Sequence, residues 1–224
     1  TLTCHWNAAT DTGSGPSSAG CGLREYLVTI ERYNPATGVT DVVSNLVSTG
    51  LNTYCSVPTP LVNGCRYRVH VFADDNLGNR YDGGWSGNIW YDGTAPTGSI
   101  SVNSGASHTG VTGVTLGLTA TDPGYPPSGL SQMRFSNDGN AWSTWEAFAS
   151  TKAWTLQSGT GAKTVQVQFR DNVGNVSLYS DTIYLDQTAP QSGVVTINGG
   201  AAYTSNPTAT LALFAEDTPP AEGY

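Results

Sequence analysis

Two short segments recur along the 224-residue chain at nearly the same spacing. The segment DGTAP at 92–96 returns as DQTAP at 186–190, which is 94 residues later. The turn DNLGN at 75–79 returns as DNVGN at 171–175, which is 96 residues later. A period of about 95 residues is the size of one immunoglobulin-type β-sandwich. The recurrence therefore predicts a tandem of similar domains, and it disfavours one continuous fold.

A third landmark sets the domain boundaries, because the strand end at Asp122 is echoed 95 residues later at Asp217. We predict one domain over 1–92 that lacks the first strand of a sandwich, a complete domain over 93–187, and an incomplete third repeat over 188–224. The simplest explanation is a segment of a longer array. The alternative is that the tail of one copy completes the first domain of the next copy by strand addition.

Composition and alternation both predict an all-β fold. Only 12% of the residues are charged, and the polar residues are mainly Thr, Ser, Asn and Gly, which favour strands and turns over helices. Val165, Val167 and Phe169 alternate with polar residues, as in a half-buried strand. Seven such strands are predicted over 99–185, including one over 142–148. Two packed sheets are the compact way to bury their apolar faces.

The charge balance excludes several classes of partner. The chain has 9 Lys and Arg against 17 Asp and Glu, a net charge of −8. An acidic chain gains nothing from a phosphate backbone, so we expect no nucleic-acid partner. No apolar run approaches the roughly 18 residues of a spanning helix, so we expect no membrane insertion.

Four cysteines lie within the first 65 residues, at Cys4, Cys21, Cys55 and Cys65. An even number in an acidic β protein predicts disulfides and an extracellular, oxidising location. The spacing lacks the CxxC pairs of zinc sites. The pairings Cys4–Cys21 and Cys55–Cys65 are favoured because each closes a short loop, and a Cys4–Cys65 bond stays open.

Motifs in both repeats point to known module types. Trp6, followed by the alternating Tyr67, Val69 and Val71 before a Gly-Asn turn, resembles a fibronectin type III module. The second repeat is similar to the bacterial Ig-like modules of secreted and surface proteins, through residues 120–122, 128–130, 137–142, 169–175 and 186–190. These resemblances imply tandem sandwich modules, and they specify architecture far better than function.

The repeated aspartates predict a cluster. In an Ig-type sandwich the second-to-third-strand loop, the sixth-to-seventh-strand turn and the incoming linker lie at one pole. Asp92, Asp122 and Asp171 should therefore converge, and their oxygens could hold Ca²⁺. The alternative is that each carboxylate caps its own turn through backbone N–H groups. Asp186 and Asp217 would take two of these positions in the next repeat.

Exposed aromatic residues suggest a second kind of site. Trp85 lies in an aromatic-rich stretch at the end of the first repeat. Trp142 and Trp145 are three residues apart, so an extended strand would place them on opposite faces. Trp85 and Trp145 are the candidate platforms for sugar rings, such as surface glycans, and packing in the core or at a domain boundary is the alternative.

No catalytic motif is present, and the three histidines share no motif, so we expect no enzyme and no cofactor other than calcium. The predicted function is a structural or adhesive segment of an extracellular array, a spacer, stalk or filament subunit. Its partners would be neighbouring modules or copies of the same protein. The alternative is a carbohydrate-binding accessory region of a secreted polysaccharide-degrading enzyme.

Overall fold

The computed structural model describes residues 2–12, 20–58, 60–190 and 192–216. Strands make up 55% of the chain and helix 3%, so the predicted all-β fold of sandwich domains is confirmed. Within the described residues, no helix has the length and apolar character that a membrane crossing requires.

The described residues divide into two compact units. The first comprises the residues up to Thr97 together with 121–130 and 170–176, and the second comprises 98–120, 131–169 and the residues from Ser177 onward. Two loops that the sequence assigns to the second repeat therefore belong to the first unit. The domain boundaries after residues 92 and 187 stay predictions.

The first unit contains two antiparallel sheets. The larger has the order β3-β2-β5-β6, with β7 also paired to β5, and the smaller pairs β1 with β4. The strands are β1 (Thr3–His5), β2 (Leu23–Asn34), β3 (Val39–Gly50), β4 (Tyr54–Ser56), β5 (Arg66–Asp75), β6 (Arg80–Trp85) and β7 (Ile89–Trp90).

The core of the first unit follows from alternation along its strands. Tyr67 and Val69 of β5 are buried against Val28 and Ile30 of β2, while Arg68 of β5 lies on the other face and pairs with Glu31. The smaller sheet covers this core from the other side. The partly buried residues packed against it include Leu2, Cys4, Trp6 and Cys55.

The strands between Thr97 and Leu185 form two further sheets. One has the order β13-β10-β8 and the other the order β12-β11-β14-β15-β9, in which β9 runs parallel to β15. The strands are β8 (Thr97–Val102), β9 (His108–Thr109), β10 (Gly113–Thr121), β11 (Leu130–Ser136), β12 (Glu146–Ala147), β13 (Thr151–Thr155), β14 (Gly161–Asp171) and β15 (Val176–Leu185).

The predicted strand over 142–148 is wrong, since only Glu146 and Ala147 are in a strand there. The indole N–H of Trp142 donates to the carbonyl of Gly139 at 3.1 Å, and the backbone N–H of Ser143 donates to the carbonyl of Phe135 at 2.9 Å. These bonds turn the chain back after the tight turn, so it does not continue as an extended strand.

A hairpin ends the described part of the chain. Strands β16 (Ser192–Ile197) and β17 (Leu211–Glu216) pair in antiparallel register. The turn after β16 repeats the one after β8, because Asn103 and Asn198 have φ angles of 46° and 47°. The predicted recurrence of backbone structure therefore extends into the third repeat, although Asp217 lies outside the described residues.

Candidate metal centre

The turn after β14 is built around the carboxylate of Asp171. Alternation places Asp171 on the same face of β14 as Val167 and Phe169, so its side chain is buried and the residue is 2% exposed. A buried carboxylate is tolerated only when it is hydrogen-bonded. Its Oδ1 accepts the backbone N–H groups of Val173, Gly174 and Asn175 at 3.0, 2.6 and 2.8 Å.

The side chain of Asn175 connects this turn to the linker. Its Nδ2 donates to Oδ2 of Asp171 at 2.8 Å and to the backbone carbonyls of Asp92 and Thr94 at 3.1 and 3.3 Å. The linker is also held by Asn63, whose Oδ1 accepts the N–H of Gly93 at 2.7 Å. Two asparagine side chains thus fix the backbone over 92–94.

The other two predicted carboxylates meet at Ser128. Oδ2 of Asp92 accepts the backbone N–H of Ser128 at 3.0 Å, while Oδ1 accepts the N–H of Thr94 at 3.0 Å. Oδ2 of Asp122 accepts the Ser128 hydroxyl at 3.1 Å and the N–H of Gly129 at 2.6 Å. One loop therefore orients both carboxylates.

The structure brings the three aspartates together, with one carboxylate oxygen from each of Asp92, Asp122 and Asp171 within 4.8 Å of the others. Oδ1 of Asp122 is buried and has no hydrogen-bond partner. Burial raises the pKa of Asp92, but the hydrogen bonds from Thr94 and Ser128 outweigh it and leave that pKa below its ordinary value. Asp92 is therefore ionised at neutral pH. This arrangement of oxygens could hold a cation, and its occupancy stays a prediction.

The first repeat contains the same hydrogen-bond scaffold. Asp75 takes the position of Asp171, and its pKa is lowered to about 2, mainly by the hydrogen bond from the Asn79 side chain. Asp11 accepts the N–H of Gly22 at 2.8 Å, as Asp122 accepts that of Gly129, and Cys21 stands where the second repeat has Ser128. Turn capping by itself therefore explains these shared bonds. A metal site is therefore indicated by the linker carboxylate of Asp92 and the unpaired Oδ1 of Asp122.

Sequence reasoning missed Ser128, Asn175 and Asn63 as members of the site. A signal for the first of these was present, because Ser-Gly-Leu at 128–130 echoes Cys-Gly-Leu at 21–23. No local pattern indicates Asn63, since its role depends on the packing of a distant linker.

Part of the site recurs after the second repeat. Oδ1 of Asp186 accepts the backbone N–H of Thr188 at 2.9 Å and its hydroxyl at 2.5 Å, and these bonds, the hydroxyl first, lower the pKa of Asp186. This repeats the contact between Asp92 and Thr94. The predicted partner Asp217 lies outside the described residues.

All four cysteines are free thiols, so the predicted bonds Cys4–Cys21 and Cys55–Cys65 are corrected. Cys4 of β1 lies directly opposite Cys55 of β4, whereas Cys65 is buried in the core. Cys21 is exposed, and its Sγ donates to Oδ2 of Asp11 at 3.5 Å. Strand pairing, and not loop length, decides which thiols meet.

The two candidate tryptophans lie in different surroundings. Trp85 is 39% exposed; its ring is 4.6 Å from that of His70, and the Arg68 guanidinium lies 4.1 Å above it. Trp145 is half-buried, with the Arg134 guanidinium 4.5 Å from its ring. The same guanidinium lies 5.1 Å from Trp142, so the prediction of opposite faces is wrong.

Trp85 lines a groove of about 840 Å³ on the first unit. Trp6 and Tyr81 contribute further aromatic surface, and Asp75, Asn79 and Arg80 contribute polar groups. The groove therefore combines aromatic faces with polar side chains.

No protein-family model matches the sequence, and no curated protein matches it. Among solved structures, the fibronectin(III)-like modules of Clostridium thermocellum CbhA are similar, with 15% identity, a TM-score of 0.37, and coverage of 71% of this chain and 78% of that one.

Two bacterial adhesion structures are also similar. A 1.5-MDa bacterial ice-binding adhesin has 15% identity and a TM-score of 0.38, with 80% of this chain and 59% of that chain covered. A tetra-tandem repeat from the extending region of a large adhesion protein has 19% identity and a TM-score of 0.33, with 87% and 56% covered. The chain thus spans little more than half of either structure. These values support no argument about function.

We predict that Asn175→Ala destabilises the first unit by about 2 kcal/mol, because it leaves the carbonyls of Asp92 and Thr94 without their donor. The matched variant Asn79→Ala loses one side-chain hydrogen bond, to the solvent-accessible Asp75, and should cost less, because Asp75 keeps the backbone N–H groups of Leu77 and Asn79. Urea denaturation followed by tryptophan fluorescence measures both. Equal losses would show that the linker contacts contribute nothing.

A second prediction concerns the stability of the protein at acidic pH. The folded-state pKa of Asp75, about 2, lies below its ordinary value of 3.8. Its stabilisation is therefore full above about pH 4 and is lost as the pH falls toward 2. Asp75→Asn should lower the melting temperature at pH 7, and the gap from the wild type should shrink between pH 4 and pH 2. A gap that stays constant down to pH 2 would contradict the assignment.

Proposed function

We propose that this chain is a structural segment of an extracellular array of β-sandwich modules, in which Ca²⁺ bound by Asp92, Asp122 and Asp171 fixes the linker. The observation that carries this proposal is the buried, partnerless Oδ1 of Asp122 beside two other carboxylates. Leaving a buried carboxylate oxygen unpaired costs free energy, because the oxygen has lost its hydrogen bonds to water and gained none in return. A cation removes that cost.

The donor set suits calcium. Ca²⁺ takes six to eight oxygen ligands at about 2.3–2.6 Å, with carboxylates, carbonyls and water all accepted. Oδ2 of Asp171 and both oxygens of Asp92 accept one hydrogen bond each and keep a second lone pair, and Oδ1 of Asp122 accepts none, so each carboxylate retains an oxygen that can ligate a cation. Three carboxylates without a zinc-type nitrogen or sulfur donor favour a hard cation.

Calcium would act here by joining three segments of chain. Asp92 belongs to the linker, Asp122 follows β10, and Asp171 ends β14. Bound metal would cancel their mutual repulsion and hold the linker against both loops. Pro96 restricts the same linker further, since its ring fixes φ. A module tied in this way resists bending where the chain passes from one repeat to the next.

The proposed location and partners follow from this role. Extracellular modules bind Ca²⁺ with dissociation constants of roughly 10⁻⁴–10⁻³ M, which suits a site that is loaded only outside the cell. Neighbouring modules, or further copies of the chain, are the partners that such an array would contact. Low charge on polar, Thr- and Ser-rich faces is compatible with side-by-side packing.

Calcium binding is tested by the melting temperature in EDTA and in 1 mM Ca²⁺. With a dissociation constant of about 10⁻⁴ M, binding contributes about 1.4 kcal/mol, which raises the melting temperature by about 3–8 °C. Asp122→Asn should abolish most of this shift. Asp138→Asn should leave it intact, because Asp138 caps a turn away from the cluster. Identical melting in EDTA and Ca²⁺ would leave only the turn-capping role.

The groove on the first unit favours a second candidate function, which is carbohydrate binding by an accessory region of a secreted polysaccharide-degrading enzyme. Sugar rings stack on exposed aromatic faces. Trp85 offers the exposed ring. Trp145, with its Arg134 contact, is the second candidate platform.

Sedimentation with insoluble polysaccharides separates the two functions. If the groove binds glycans, the chain binds saturably, Trp85→Ala lowers affinity at least tenfold, and Trp90→Ala has little effect because Trp90 does not line the groove. Equal retention of Trp85→Ala and wild type would exclude the groove as the binding site.

A further inference from the structure

The smaller sheet of the first unit places two cysteines opposite each other. Cys4 and Cys55 are register partners in the antiparallel pair of β1 and β4. Backbone bonds from Val57 to Leu2 and from Trp6 to Thr53 bracket them, at 2.9 and 3.0 Å. Hydrogen-bonded pairs alternate along such a ladder, so Cys4 and Cys55 occupy one, with Cα atoms about 5.5 Å apart. A disulfide requires Cα atoms roughly 4.4–6.8 Å apart.

As register partners, the two thiols lie on the same face of the smaller sheet. Both side chains are half-buried and pack against the core that contains Val28 and Val57. Burial raises the pKa of both thiols, that of Cys55 to about 11.

We propose that Cys4 and Cys55 form a modification site, a thiol pair that exchange with a small-molecule disulfide such as oxidised glutathione converts to a cross-strand disulfide. The Cys4 thiolate attacks one glutathione sulfur, forms a mixed disulfide and expels one glutathione thiolate. The Cys55 thiolate then attacks the Cys4 sulfur and expels the second. The two cysteine protons end on the two glutathiones released, so the protein loses two electrons and two protons.

The bond would fix the weaker part of the first unit. β1 and β4 share only three register pairs, Thr3 with Ser56, Cys4 with Cys55, and His5 with Tyr54. Residues 4 and 55 are far apart in sequence, and a cross-link that closes a long loop restricts the unfolded chain most. The modification holds β1 in place whether or not the carboxylate cluster binds calcium.

The test uses the full chain carrying Cys21→Ser, because the exposed Cys21 would itself react with glutathione. After incubation with oxidised glutathione at pH 8.5, intact mass should fall by two hydrogens, and peptide mapping should recover Cys4 linked to Cys55. One thiol, Cys65, should remain after unfolding. The melting temperature should rise by about 10 °C or more, and it should return to its starting value after reduction with dithiothreitol. The rate of disulfide formation should rise about tenfold from pH 7 to pH 8, since thiolate is the reactive form.

Several results would overturn the proposal. A cross-link that includes Cys65, a glutathione adduct that never resolves, or three thiols that stay free after prolonged incubation would each exclude a Cys4–Cys55 site. Adding Cys55→Ser should stop the reaction at the mixed disulfide on Cys4. If that variant fails to fold, the peptide map of the Cys21→Ser protein alone decides between these outcomes.

Discussion

The buried carboxylate of Asp171 is the constraint from which the site is built. Alternation along β14 turns Asp171 toward the core, and a buried charge must be satisfied by donors. The following turn supplies three backbone N–H groups and the side chain of Asn175. Asn175 in turn holds the backbone of Asp92 and Thr94. The position of the linker therefore follows from one polar residue at the end of a strand.

The two repeats share this scaffold and differ in how it is completed. In both, an aspartate ends a strand, an asparagine four residues later donates to it, and a second aspartate binds the N–H of a glycine. The site of the second repeat also includes Asp92 of the linker, and it has Ser128, which bridges two carboxylates, in the place of Cys21. The common bonds explain the turn, and the added groups explain why a cation would bind there.

Sequence patterns predicted the parts of this structure that local chemistry determines. Alternation indicated β14, and the recurring motifs indicated that Asp92, Asp122 and Asp171 would meet. The pairing of Cys4 with Cys55 could not be predicted, because it depends on the register of strands about 50 residues apart. The irregular chain at 142–148 was also missed, since side-chain bonds to a neighbouring turn override its strand propensity.

The most direct test of the account is amide hydrogen exchange at Thr94, Ser128 and Gly174, whose N–H groups bind the carboxylates of Asp92 and Asp171. If these carboxylates fix the linker and loops as one unit, the three amides exchange together and nearly as slowly as those of β5. If the amides of Thr94 and Ser128 exchange at the rate of an unstructured peptide while those of β5 stay protected, the account is contradicted.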